Sequence, residues 1–328
     1  MTENTSNLKL QRWIFVSSII LLAGKFSAFI LTYSNAVLTD AMESIVNVVA
    51  SGIGLYSLWL SAKPRDTDHP YGHGKIEFIS ASIEGTMVLV AGLIIVGKSV
   101  HNIFYPQDLH DLDIGIAILF GTAVANYMLG FISEKQGNKT DSPALIASGK
   151  HLKTDAWSTA GIVSALLLIY LTGLAWLDIV IAIGFGGFIS ITGYKVWRKA
   201  VGGIMDEADY DLLSTIISRV NEHRREPWMD LHNMRVIKYG SVLHIDCHLT
   251  VPWYFTIREG HNEVDRLEAL IKNELKNPVE LFIHTDYCVP PFSCTICIMS
   301  NCNVREAVFQ KRIEWDLKNV LQDKKHGL

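Results

Sequence analysis

The chain has 328 residues, 49% of them apolar and 19% charged, with a mean hydropathy of +0.23. That is too apolar for an ordinary soluble enzyme and too long for membrane helices alone, so two regimes share one chain. A formal net charge of −4 with no basic stripe to neutralise phosphates excludes a nucleic-acid binder.

In chain order, apolar segments fall at about 13–32, 35–61, 80–103, 113–133, 145–171 and 174–197. At about 1.5 Å per residue each is long enough to cross roughly 30 Å of hydrocarbon, which predicts an all-α six-helix transmembrane bundle over 1–204. The first segment has spanning length rather than the shorter core of a cleavable signal peptide. An even number of crossings leaves both ends on one side. Lys9 and Arg12, the loop with Lys63, Arg65 and Lys75, the loop with Lys135 and Lys139, and the exit at Lys195, Arg198 and Lys199 all fall there, whereas "TYSN", "YPQDLHDLD" and "LTGLAW" carry no Lys or Arg. By the positive-inside rule that side is cytoplasmic. Trp13, Tyr33, Tyr105 and Trp176 sit where interfacial anchors belong.

From about residue 205 the chain turns soluble. Its pattern predicts a helix over 209–226, strands over 230–238 and 241–251 joined by a "YGS" turn, a helix over 258–275 and a strand over 279–286. In the second strand Leu243, Ile245, Cys247 and Leu249 alternate with His244, Asp246 and His248, so one face is buried and the other wet, and His244 is expected to face solvent. The α-β-β-α-β order describes a small α+β sandwich over 205–288, with a core modest enough to gain from dimerisation. A cysteine-containing tail, 289–328, follows.

The membrane segments carry polar groups that need a reason. In "TDAMESIVN" Asp40, Glu43 and Asn47 are spaced i, i+3 and i+7 and line one face of the second helix. Facing lipid would cost several kcal/mol each, so they face the bundle interior. "KHLKTDAWS" puts His151 and Asp155 at i and i+4 on the fifth helix, where both side chains can grip one ion. Carboxylate, imidazole and amide oxygen together describe a divalent-cation site, the alternative being an interhelical hydrogen-bond network. Lys25, Glu84 and Asp178 are accounted for by interhelical pairing or snorkelling. Asp66, His69 and His73 share a short Pro- and Gly-rich turn whose spacing can wrap one ion or simply be solvated. In the tail region, Cys288-x5-Cys294-x2-Cys297-x4-Cys302 contains a CxxC clip; four thiolates could hold a structural zinc, or the segment is a reduced, flexible thiol-rich tail.

Through "LTDAMESIVN", "DTDHPYGHGKIE", "HLKTD" and "IHTDYC" the chain resembles the cation diffusion facilitators, dimeric divalent-metal/proton antiporters with six membrane helices and a cytoplasmic metallochaperone-like, ferredoxin-like domain. The resemblance covers almost the whole chain. It implies that Glu43, Asn47, His151 and Asp155 hold the transported ion, that Asp66, His69 and His73 form a second, interfacial metal site, and that Lys75 and Asp206 form a charge interlock. It also implies a binuclear regulatory site from His232, His248, His261, His284 and Asp286. Zinc-type members usually show His or Asp in place of Glu43 and Asp in place of Asn47, so the departures at both positions point toward Fe2+ or Mn2+ ahead of Zn2+, with cobalt and nickel also candidates. The expectation is a homodimeric, multi-pass protein of a bacterial inner or plasma membrane that exports divalent cations in exchange for protons by alternating access. It is expected to be no enzyme, since no Ser/His/Asp set, phosphate loop or HExxH motif accompanies the ligands. The rival reading is a membrane-anchored metal sensor or storage protein, which would not need an intramembrane site.

Overall fold

The structure, a computed structural model, describes residues 2–32, 35–104, 113–172, 176–275 and 277–326, apart from some side chains within the helices, and divides into two units, Met1–Met205 and Asp206–Leu328. Among the described residues the first unit is helical: α1 Thr2–Thr32, α2 Asn35–Ser61, α3 Ile76–Phe104, α4 Asp113–Thr140, α5 Pro143–Thr172 and α6 Trp176–Ile204. Several helices outrun their apolar segments; α1 starts at Thr2 rather than near 13, and α4 runs on to Thr140. Backbone hydrogen bonding continues past the last apolar residue, so hydropathy marks the greasy part of a helix rather than its ends. By length and composition, Ile76–His101 and Ala117–Thr140 qualify as membrane spans among the described residues. The other four helices contain undescribed residues within their apolar stretches. Tyr33 and Tyr105 lie outside the described residues, as do the side chains of Asp40, Glu43, Trp176 and Asp178.

Packing in the first unit runs mainly in pairs, α3 with α6, α4 with α5 and α1 with α2. The α3–α6 pair meets backbone to backbone. A Cβ on Gly85 would lie 2.6 Å from Trp197 N, and one on Gly193 would lie 2.9 Å from Gly85 O, so no side chain fits between the helices there. Buried polar groups stitch the helices together. Gln11 Nε2 of α1 donates to Ser148 Oγ of α5 at 3.2 Å, and Ser148 Oγ donates to Glu84 Oε1 of α3 at 3.1 Å. Glu84 is completely buried, and this is the interhelical pairing expected for it.

The second unit contains α7 Tyr210–Glu222, β1 Asp230–Tyr239, β2 Val242–Val251, α8 Ile257–Glu274, β3 Val279–Tyr287 and a short α9 Leu317–Val320. The sheet order is β1-β2-β3, with β1 antiparallel and β3 parallel to β2. Caps fix the helix starts. Asp209 accepts from Leu212 N at 3.0 Å before α7, and Thr256 with Glu259 forms a capping box before α8. Leu213, Ile217, Leu231, Ile245, Leu249, Leu267 and Ile271 build the core, as the alternation in β2 predicts.

Two expectations change. His244 is buried, with Nδ1 3.0 Å from Glu280 and its ring edge-on to Tyr239, because parallel pairing sets Glu280 directly opposite it on β3. The stretch 289–328, read as a separate tail, contributes Trp315 and Val320 to the domain core, and the Arg224 guanidinium lies 3.9 Å over the Trp315 ring.

Glu263 of α8 illustrates how this domain is held. It is buried and accepts from Trp228 Nε1 and Arg225 Nε, both at 2.9 Å, and it also pairs with Arg266. Glu263→Ala would strand the buried indole N–H, at an expected loss of about 2 kcal/mol. Glu268→Ala, which removes only the exposed pair with Lys272, should lose about 0.5 kcal/mol. Thermal unfolding of the second unit in the full chain measures both; equal, small shifts would refute the assignment.

Candidate metal centres

The interior of the first unit brings α2, α4 and α5 together around polar side chains. Asn47 and His151 are buried, and His151 Nε2 lies 2.8 Å from Asn47 Oδ1. The buried His151 Nδ1 has no hydrogen-bond partner among the described residues. One turn further along α5, buried Asp155 accepts a hydrogen bond through Oδ2 from Asn126 Nδ2 of α4. Asn126 was not foreseen. A lone Asn in an apolar run has no partner at helical spacing, and its relevance appears only once α4 lies on α5. The side chain of Glu43, one turn before Asn47, and that of Asp40 are outside the described residues. What is seen is one imidazole, one carboxylate and the Asn47 amide, with Asn126 bracing the carboxylate, a nitrogen-poor, oxygen-rich set suited to a divalent cation. Ser148, the middle of the Gln11–Ser148–Glu84 string, sits one turn before His151 on the same helix.

The turn after α2 gathers Asp66, His69 and His73. Asp66 Oδ1 accepts from His69 N at 2.7 Å and from Asp68 N at 3.1 Å, which folds the loop back on the carboxylate. Gly72 at φ +89° makes a reversal that L side chains rarely adopt, returning His73 to within 3.3 Å of Asp66 Oδ2, with the two imidazoles 4.4 Å apart. One ligand atom from each lies within 4.8 Å of the others, close enough to hold one ion. The backbone N–H of His69 holds the Asp66 carboxyl below its ordinary range.

In the second unit, strand register does the positioning. His232 of β1 stands opposite His248 of β2, and His248 opposite His284 of β3, so three imidazoles lie in a row across the sheet. His248 Nδ1 and His232 Nε2 lie 3.1 and 3.5 Å from Asp286 Oδ2, and these three residues form a metal-capable cluster. His284 lies at the edge, 3.9 Å from Asp286 Oδ1. His261 is not gathered with them; its side chain is 72% exposed and 3.6 Å from Asp265. Unforeseen are two tail residues. Lys325 Nζ lies 2.9 Å from Asp286 Oδ1, and His326 bonds Asp230, whose other oxygen is 3.3 Å from His232 Nδ1. Burial pushes the Asp286 and Asp230 carboxyls up, but Lys325 and His248 outweigh it for Asp286, and hydrogen bonds from His232 and His326 hold Asp230 at about 2.

Of the cysteines, Cys247 is sealed in the core, where burial pushes its thiol up to about 12. Cys288, Cys294, Cys297 and Cys302 line one pocket, and burial raises the thiols of Cys288 and Cys297.

Comparison with known proteins identifies the family. Residues 12–205 match the family described as cation efflux transmembrane domain, and 206–288 the one described as cation efflux protein, cytoplasmic domain. An uncharacterized transporter of Synechocystis is 32% identical over 251 residues, covering 76% of this chain and 81% of its own length. The manganese efflux system protein MneP of Bacillus subtilis is 27% identical, covering 83% of this chain and 93% of its own. For the cation-efflux pump FieF of Pectobacterium atrosepticum the values are 25%, 82% and 89%. The transmembrane match alone takes in more than half of the chain, which therefore belongs to the cation efflux family, the cation diffusion facilitators, transporters of divalent metal cations.

Proposed function

We propose that this protein exports Mn2+ or Fe2+ from the cytoplasm in exchange for protons, by alternating access around Glu43, Asn47, His151 and Asp155. The contact between Asn47 and His151, buried between α2 and α5 with Asp155 one turn away, carries the reading. A neutral imidazole and ionised carboxylates bind the ion, so capture releases protons and protonation from the far side expels the metal. With one nitrogen and otherwise oxygen donors, the set suits harder ions than zinc, and with Asn47 neutral it carries two negative charges, leaving choice to geometry. Six membrane crossings, cytoplasmic termini and a homodimer complete the arrangement. That a manganese efflux system protein is among the relatives supports this ion class. Asp66, His69 and His73 hold a second ion, and His232, His248 and Asp286, with His284 at the edge, form a regulatory centre through which cytoplasmic metal favours the dimer.

The test is metal flux into proteoliposomes across manganese, iron, zinc, cobalt, nickel and cadmium, with a lumenal pH dye. Wild type is expected to move manganese or iron with opposite proton flow, and Glu43→His with Asn47→Asp to raise zinc transport relative to both. A wide zinc preference in wild type, unmoved by the double substitution, defeats the ion assignment; flux without a pH change defeats the exchange.

A further inference from the structure

The four cysteines after β3 line one pocket although up to fourteen positions separate them in sequence; no three of their sulfurs lie within 4.8 Å of one another, so an ion would have to draw them together by side-chain rotation. Cys288, Cys294 and Cys297 are 7, 6 and 4% exposed, Cys302 lies part-exposed beside them, and all are free thiols. Three buried cysteines alone would pass as small apolar fillers. Other features go further than filling. Trp253 N donates to Cys288 Sγ at 3.4 Å, and Met299 N donates to Cys297 Sγ, two residues on from it. Backbone N–H groups aimed at sulfur offset the charge of a thiolate, and burying such a donor on a neutral thiol gains little. Arg305 then ties the loop: its guanidinium donates to the carbonyls of Cys294, Cys297 and Met299 at 3.0, 3.2 and 2.6 Å, which fixes the CxxC turn and brings a fixed positive charge to the sulfurs. The Met229 and Met299 thioethers share the pocket, and Tyr254 Oη donates to Met299 Sδ at 3.7 Å. No carboxylate or histidine lines it.

We propose that Cys288, Cys294, Cys297 and Cys302 form an all-sulfur site for one soft d10 divalent ion, Zn2+ or Cd2+ in kind, opposite in chemistry to the oxygen-rich set between α2 and α5. On binding, four S–H bonds give way to four S–metal bonds, four protons pass to solvent, and the site carries a net charge of −2 that Arg305 partly offsets. The ion clips Cys302 and the chain beyond it to the end of β3.

The experiment uses the full chain in detergent, reduced and stripped of metal, with Cd2+ as the probe. One equivalent of Cd2+ bound here is expected to give a thiolate-to-cadmium charge-transfer band. It should also slow iodoacetamide labelling of Cys288, Cys294, Cys297 and Cys302 at least tenfold by peptide mass, with Cys247 unlabelled throughout. Cys294→Ser with Cys297→Ser should abolish the band. Mn2+ should give no protection. Unchanged labelling with Cd2+ overturns the proposal, as does equal protection by Mn2+ or a band that survives the double substitution. A disulfide between any two of the four in protein isolated without reductant, seen as the loss of two hydrogens, overturns it as well. Should the double variant fail to fold, the wild-type labelling still decides.

Discussion

Asp155→Ala, and separately His151→Ala, are expected to lower metal-driven proton flux in proteoliposomes by about 100-fold or more while the protein still elutes as the folded oligomer. Each removes a donor from a buried set in which the Asn47 amide oxygen cannot make up the loss. Asn126→Ala separates ligand from support. Asn126 holds Asp155 from α4, so its loss frees the carboxylate to rotate without removing it. The expected result there is a 10- to 100-fold rise in the metal concentration for half-maximal flux with the maximal rate largely kept, in the range for groups that orient a ligand. Undiminished flux in either α5 variant removes the site from the mechanism. Equal loss of maximal rate in all three would make Asn126 a ligand rather than a brace.

Gly193→Val is expected to destabilise the first unit by about 3 kcal/mol, because its side chain has nowhere to go but into the backbone of α3 at Leu89. The same substitution at Gly184, on the same helix, meets nothing within 4 Å and should be close to neutral. Thermal unfolding in detergent, followed by tryptophan emission, compares the two. If both behave alike, the α3–α6 contact is looser than the backbone geometry requires.

Periodicity and hydropathy located the long helices and the strands of the second unit because each of those signals is local: an apolar run of spanning length, or alternation from Leu243 to Leu249. The pair His151 and Asp155 was legible for the same reason, being one turn apart on one helix. Convergence across elements was not. Asn126 acquires meaning from α4 lying against α5, and Glu280 masks His244 only because β3 runs parallel to β2. Lys325 reaches Asp286, and Trp315 the core, by long-range folding that no short-range pattern in the tail announces. Resemblance supplied the row of His232, His248 and His284; strand register explains why they line up.

The placement of Lys325 and His326 bears on how the protein is handled at the bench. An ammonium and an imidazole from Lys325 and His326 already touch Asp286 and Asp230, so a polyhistidine handle placed a few residues beyond His326 would bring imidazoles near the domain's ligand cluster. Such a handle would compete for the very ions being titrated and would inflate the apparent number bound. Affinity measurements on this domain therefore call for a handle at the other terminus, or one removed before metal is added.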